Sequence, residues 1–171
     1  MLYFITGGSG SGKSALAERI CAALPGPHVY LATMPVQTAE DRRKVARHHA
    51  LRADRGFDTV EAPGRLPALP PNATVLLECL STFTANRMFS GEAVPDWEEA
   101  LWAELQPLLH RPGHTVIVSA AVSGDGVTYD PDTEAFRRVL TGLVCRLCAA
   151  ADAAVECVCG IPVVLKGVLP C

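Results

Sequence analysis

Eight residues near the start of the chain, Gly7-Gly8-Ser9-Gly10-Ser11-Gly12-Lys13-Ser14, satisfy the pattern G-x-x-x-x-G-K-[ST]. Glycines let the backbone curl so that successive N–H groups point at one phosphate chain, and a helix that begins there adds the positive end of its dipole. These residue types at this spacing predict an anion cradle. In it Lys13 reaches the β- and γ-phosphates of a nucleoside triphosphate and the Ser14 hydroxyl ligates Mg²⁺. The plain alternative is a Gly/Ser turn that binds nothing. Its flanks argue against that: Leu2-Tyr3-Phe4-Ile5-Thr6 is a short β-rich apolar run, and Ala15-Leu16-Ala17-Glu18-Arg19-Ile20 is helix-like.

Two further groups carry chemistry. Glu78 closes the apolar run Val75-Leu76-Leu77, where P-loop proteins keep an acidic residue beside the metal. A carboxylate there holds Mg²⁺ through water or polarises an attacking hydroxyl; the alternative is a carboxylate that merely caps the next helix. Between Glu40 and Arg55 lie six of the fifteen basic residues, Arg42, Arg43, Lys44, Arg47, Arg52 and Arg55, against three acids. In a chain of net charge −3 that concentration reads as a surface meeting phosphates, with Arg52 among the candidate nucleotide contacts, or as a solvated helix face. Inside it stand His48 and His49, adjacent imidazoles able to act as nucleophiles or as acid–base groups near neutral pH. The surrounding arginines would neutralise charge developing on phosphorus and on a leaving pyrophosphate.

The elements that must position these groups follow from periodicity and turn signals. Pro25-Gly26-Pro27 forces a turn before a second strand, His28 to Thr33. A polar, charged helix is expected from about Ala39 to Ala53, then a short segment from Gly56 to Glu61 and a proline-rich loop from Pro63 to Asn72. Strands are expected at Thr74 to Glu78, His114 to Ser119 and Ala154 to Cys159, with a possible last one at Ile161 to Leu165. Helices are expected at Ser81 to Phe89, at Pro95 to His110 with Asp96 as cap or first-turn acid, and at Thr133 to Ala151, after a glycine-containing loop from Gly124 to Pro131. Alternating strands and helices predict an α/β fold: a P-loop NTPase-like (RecA-like), mostly parallel sheet with helices on both faces. Ligands then belong at the carboxyl edge, where the P-loop, Thr33, Glu78 and the loop after Ser119 converge.

Composition bounds the class. A length of 171 residues, 49% hydrophobic and 19% charged, fits one globular nucleotide-binding domain spanning residues 1–171. The slightly acidic balance gives no global case for nucleic acid, and no apolar run reaches the ~18 residues of a membrane span, so a cytoplasmic protein is expected. Seven cysteines, scattered through apolar segments, read as reduced core thiols. Cys145-x-x-Cys148 has a zinc-compatible spacing but falls in a helical pattern.

Taken together, Thr6 to Ser14, Tyr30-Leu31-Ala32-Thr33, Lys44-Val45-Ala46-Arg47-His48, Thr59-Val60-Glu61 and Leu76-Leu77-Glu78-Cys79 resemble the bifunctional adenosylcobinamide kinase/adenosylcobinamide-phosphate guanylyltransferase family of cobalamin biosynthesis. Asp125-Gly126-Val127, Gly160-Ile161-Pro162 and Lys166-Gly167 resemble it as well, so the likeness runs from Met1 to about Gly167. The resemblance implies two reactions at one nucleotide site, with GTP and ATP as nucleotide substrates and Mg²⁺ as cofactor. A nucleoside triphosphate phosphorylates the aminopropanol hydroxyl of adenosylcobinamide. A histidine then attacks the α-phosphorus of GTP, expels pyrophosphate and passes GMP to adenosylcobinamide phosphate. It implies His48 as nucleophile with His49 in reserve, Glu61 as a carboxylate near the guanine nucleotide, and Thr33 and Met34 on the loop edging it. It also implies a homotrimer.

The chain departs from that family in two places. Ala120-Ala121 stands where the family usually has an Asn-Glu pair, and Cys145 where its late helix usually presents an asparagine. Two other readings follow from the residues: a small-molecule P-loop kinase without a covalent intermediate, which leaves the His48 helix unexplained, and a catalytically weakened nucleotide-binding relative.

Overall fold

The computed structural model of the protein describes residues 1–35, 56–122 and 124–170. The expected helix at 39–53, and with it His48, His49 and Arg52, lies outside the described residues.

Among the described residues seven strands form one sheet: β1 (Leu2–Thr6), β2 (His28–Ala32), β3 (Phe57–Glu61), β4 (Thr74–Glu78), β5 (Thr115–Val118), β6 (Ala153–Val158) and β7 (Ile161–Lys166). Their order is β3-β2-β4-β5-β1-β6-β7. All neighbours run parallel except β6 and β7, which form an antiparallel hairpin. The strand at 57–61 was the least legible in sequence. Asp58 and Glu61 interrupt its apolar pattern, and pairing with β2 along its whole length supplies what local propensity lacks.

Among the described residues four helices cover the sheet: α1 (Lys13–Ala22), α2 (Leu80–Met88), α3 (Trp97–Leu109) and α4 (Pro131–Ala150). The period-two alternation of β1 separates two cores. Tyr3 and Ile5 join Leu16, Ala17 and Ile20 of α1 on one face. Leu2 and Phe4 join Leu80 and Phe83 of α2, Leu101 and Leu105 of α3 and Leu143 of α4 on the other. Asp96 caps α3 by accepting from the Glu99 N–H, as the sequence predicts. The late helix starts earlier than periodicity suggests, because the Asp130 carboxylate accepts from the N–H groups of Asp132 and Thr133 and Pro131 sits comfortably in the first turn.

The expectation of core thiols holds for Cys21 and Cys157 and fails for Cys145 and Cys159, which are exposed. Position within an apolar-looking stretch does not decide which face of a helix or turn a thiol occupies. Burial first, then the charges of Glu18 and Glu78, push the Cys21 thiol up to about 12. It is an unreactive packing group. Among the described residues no helix is long and apolar enough to cross a membrane.

Candidate functional site

Parallel register sets out the carboxyl edge. Ala32 of β2 stands opposite Glu61 of β3 on one side and Glu78 of β4 on the other, while Glu78 also pairs with Val118 of β5. The P-loop leaves this edge from β1, between β5 and β6.

Within the loop, Ser11 N–H donates to the Gly8 carbonyl at 3.3 Å, and Gly12, at φ +93°, turns the chain into α1. The first-turn amides of that helix have no intrahelical acceptor, the property that makes a helix start suited to an anion. Gly8, Ser9 and Gly10 are exposed, Lys13 and Ser14 half-buried. Lys13 Nζ donates to the Gly8 carbonyl at 2.5 Å, so the ammonium lies across the loop it is expected to serve. The Ser11 hydroxyl is buried and has no hydrogen-bond partner among the described residues.

The loop is braced from outside. Gly160 N–H (2.7 Å) and Cys157 Sγ (3.0 Å), at the β6–β7 hairpin, donate to the Ser11 carbonyl. Ala121 N–H donates to the Gly7 carbonyl at 2.9 Å, which brings the segment after Ser119 to the site as the sequence predicts. None of these clamps is visible as a local pattern, since each partner is more than a hundred residues away in the chain. Gly7 adopts φ +147°, and a Cβ there would run into the Cys157 carbonyl. Gly7→Val is therefore expected to destabilise the fold by about 3 kcal/mol and to cut nucleotide affinity at least tenfold. Urea unfolding and titration with a fluorescent nucleotide check it.

Ser14 and Glu78 are brought together as predicted: the Ser14 hydroxyl donates to Glu78 Oε1. Two oxygen donors at a P-loop fit Mg²⁺, which keeps several waters and relies on substrate phosphates for much of its shell. Thr33 is fully buried. Its hydroxyl accepts from the Cys79 N–H at 2.7 Å and donates to the Cys79 carbonyl at 3.0 Å, so the side chain pins the end of β2 to the start of α2 rather than projecting from the edge. Met34 is half-buried next to it, and Glu61 is exposed at the end of β3. Sequence reasoning missed Asn86, whose amide donates to the carbonyls of Thr33 (2.7 Å) and Pro63 (2.8 Å) and ties both loops to α2. No local signal marks it, because the same helix also carries Ser81, Thr82, Thr84 and Arg87.

Beside the loop after β5 lies a small cavity of about 60 Å³ lined by Thr6, Ala120, Ala121, Val122, Leu140, Thr141 and Val144. Cys145, one residue further along α4, is exposed. A much larger cavity, about 910 Å³, lies between the proline-rich connection and α3 and contains none of the predicted site residues. Size alone does not mark the site here. Residues 7–14 and Glu78 mark the candidate site, because the fold brings to one edge the groups whose types and spacing predict phosphate chemistry.

Residues 3–165 match the family described as cobinamide kinase / cobinamide phosphate guanyltransferase. The chain is 31% identical over 183 residues to the bifunctional adenosylcobalamin biosynthesis protein CobU of Escherichia coli (strain K12), covering 97% of this chain and all of that protein. It is 32% identical over 126 residues to the bifunctional adenosylcobalamin biosynthesis protein CobP of Pseudomonas aeruginosa, covering 70% of each. Among solved structures it resembles an ATPase from the type III secretion system of pathogenic bacteria, with a TM-score of 0.51 and 15% identity. That likeness covers 91% of this chain and 50% of the ATPase, and it supports the P-loop, RecA-like fold.

Proposed function

Because the chain belongs to the cobinamide kinase / cobinamide phosphate guanyltransferase family, we propose that it phosphorylates adenosylcobinamide and then transfers GMP from GTP to the product through a GMP-histidine intermediate. The observation that carries this reading is the contact of Ser14 with Glu78, 64 residues apart in the chain, in front of the P-loop.

In the first reaction the loop amides and Lys13 hold the triphosphate, and Ser14 and Glu78 would hold Mg²⁺. The metal supplies charge neutralisation on the phosphates when bound. Lys13 leaves the Gly8 carbonyl and follows the β- and γ-phosphates. Glu78 faces the approaching hydroxyl of the aminopropanol arm, orients it and is the nearest carboxylate to take its proton. In the second reaction the His48 imidazole attacks the α-phosphorus of GTP: a P–N bond forms, a P–O bond breaks and pyrophosphate departs. A phosphate oxygen of adenosylcobinamide phosphate then attacks the same phosphorus, the P–N bond breaks and the imidazole is released. Glu61, Thr33 and Met34 border the nucleotide, and Arg52 contacts its phosphates.

Intact-mass measurement tests this. With GTP and Mg²⁺ the protein is expected to gain one GMP, and to lose it when adenosylcobinamide phosphate is added. No adduct, with no exchange of labelled pyrophosphate into GTP, removes the histidine half and leaves a P-loop kinase.

The β6–β7 hairpin supports assembly into a homo-oligomer, a trimer in this reading. All six residues of β7 are exposed, and Ile161, Val163, Val164 and Leu165 make it an apolar edge strand of a kind that a second copy covers. Val163→Glu combined with Leu165→Glu, two exposed apolar residues of the strand, is expected to yield monomers in sedimentation velocity. An unchanged assembly would place the interface elsewhere.

One observation favours a second reading. The cavity beside Ala120 and Ala121 has only the hydroxyls of Thr6 and Thr141 as polar side-chain groups, which suits a relative that binds nucleotide without turnover. Turnover of adenosylcobinamide excludes it.

A further inference from the structure

We propose that Tyr30 is the positioning residue of the phosphoryl-transfer centre, its phenol holding the Glu78 carboxylate in the orientation that meets Ser14. The inference rests on the reading of Ser14 and Glu78 given above and deepens it.

The sheet register makes the contact possible. Tyr30 pairs with Leu76 and Ala32 with Glu78, so Tyr30 lies one pleat below the carboxylate on the same face of adjoining strands. A side chain of that length, leaning along the strand, brings its O–H to Glu78 Oε2 at 3.2 Å. Ser14 donates to the other oxygen, Oε1. A donor on each oxygen fixes the plane of the carboxylate, whereas a glutamate held at one oxygen swings about the rest of its side chain. The ring is itself held: Tyr30 is 5% exposed, packed in the core beneath α1 and edge-on to Phe57, with centroids 6.4 Å apart at 86°. The hydroxyl is thus delivered to the site by a ring with little room to move. The ring is a core group, and its oxygen meets the carboxylate.

When Ser14 turns to a ligand, Oε1 loses its donor and Tyr30 still holds Oε2. The free oxygen then points where the metal and the attacking hydroxyl are expected. Such a supporting hydrogen bond typically changes activity or metal affinity by 10–100-fold.

The test uses Tyr30→Phe, Glu78→Gln, the double variant, and Phe57→Leu as a packing control that keeps the phenol. Calorimetry measures GTP affinity in EDTA and in Mg²⁺, and steady-state kinetics measures kcat and KM for adenosylcobinamide phosphorylation. Tyr30→Phe is expected to bind GTP in EDTA within about twofold of wild type, to lose most of the tightening that Mg²⁺ brings, to raise KM for nucleotide in Mg²⁺ by the affinity so lost, and to lower kcat about tenfold with KM for adenosylcobinamide little changed. The double variant is expected to match Glu78→Gln alone, because without a carboxylate the phenol has nothing to orient. Phe57→Leu is expected to lower the melting temperature and leave the Mg²⁺ response intact.

Wild-type kcat and Mg²⁺ response in Tyr30→Phe overturn the proposal. So does a double variant whose loss is the product of the single losses, a Phe57→Leu variant with the same defect, or a Tyr30→Phe chain that does not fold, since each assigns the phenol to packing. Wild-type protein without turnover or Mg²⁺-linked GTP binding would instead sink the underlying functional reading.

Discussion

Lys13→Ala is expected to lose both reactions together, with kcat/KM for phosphorylation of adenosylcobinamide and the rate of GMP adduct formation each falling on the order of 10³-fold. The physical reason is that one ammonium serves two chemistries at one cradle. It is the basic side chain of the loop itself, and it lies across that loop, 2.5 Å from the Gly8 carbonyl. In the proposed mechanism a nucleotide exchanges that contact, an ammonium on a neutral carbonyl, for an ammonium on phosphate oxygens, where both partners carry charge. Steady-state assays of the kinase and pyrophosphate–GTP exchange check the prediction in parallel. A variant that loses only one activity would mean that the two reactions do not share a triphosphate site. Because Lys13 is half-buried at the first turn of α1, the substitution should leave the melting temperature within a few degrees. A nucleotide-binding defect in a folded protein is then the informative result.

His48→Asn is expected to separate the reactions that Lys13 joins. Phosphorylation of adenosylcobinamide should persist, while the GMP adduct and pyrophosphate exchange disappear, a loss of at least about 10³-fold because no other group in the proposed mechanism forms the phosphoramidate. Intact-mass analysis with GTP reads the adduct directly, and His49→Asn serves as the neighbouring control. If His49→Asn abolishes the adduct and His48→Asn does not, the nucleophile is His49. If neither does, covalent transfer through this pair is wrong and the chain is a kinase with a basic segment of another purpose. The two variants together also test the cationic run from Arg42 to Arg55. An imidazole nucleophile there needs the arginines to neutralise the leaving pyrophosphate, so nucleotide affinity in His48→Asn should stay near wild type.

The P-loop, the order of strands and helices, and Glu78 at the end of a buried strand were legible because each is written in local spacing. Short β-rich apolar runs mark strands such as Leu2–Thr6, and glycines and a lysine at fixed offsets mark the cradle. The edge strand Phe57–Glu61 was not legible. Its stability comes from hydrogen bonds to His28–Ala32, a partner already placed by the rest of the sheet. The exposure of Cys145 and Cys159 was likewise hidden, since burial depends on which face of an element meets a neighbour.

By itself, then, the sequence determined that this chain makes a mostly parallel α/β sheet with a phosphate-binding loop, because periodicity and loop chemistry act over a few residues. Tertiary structure alone decided that the Ser14 hydroxyl meets the Glu78 carboxylate, that Tyr30 reaches the same carboxylate, and that Cys157 and Gly160 hold the Ser11 carbonyl. Those contacts join residues far apart in the chain. They exist only once strand register has aligned β1, β2, β4 and β6 at one edge, and register is a property of the packed sheet that no short stretch of residues encodes.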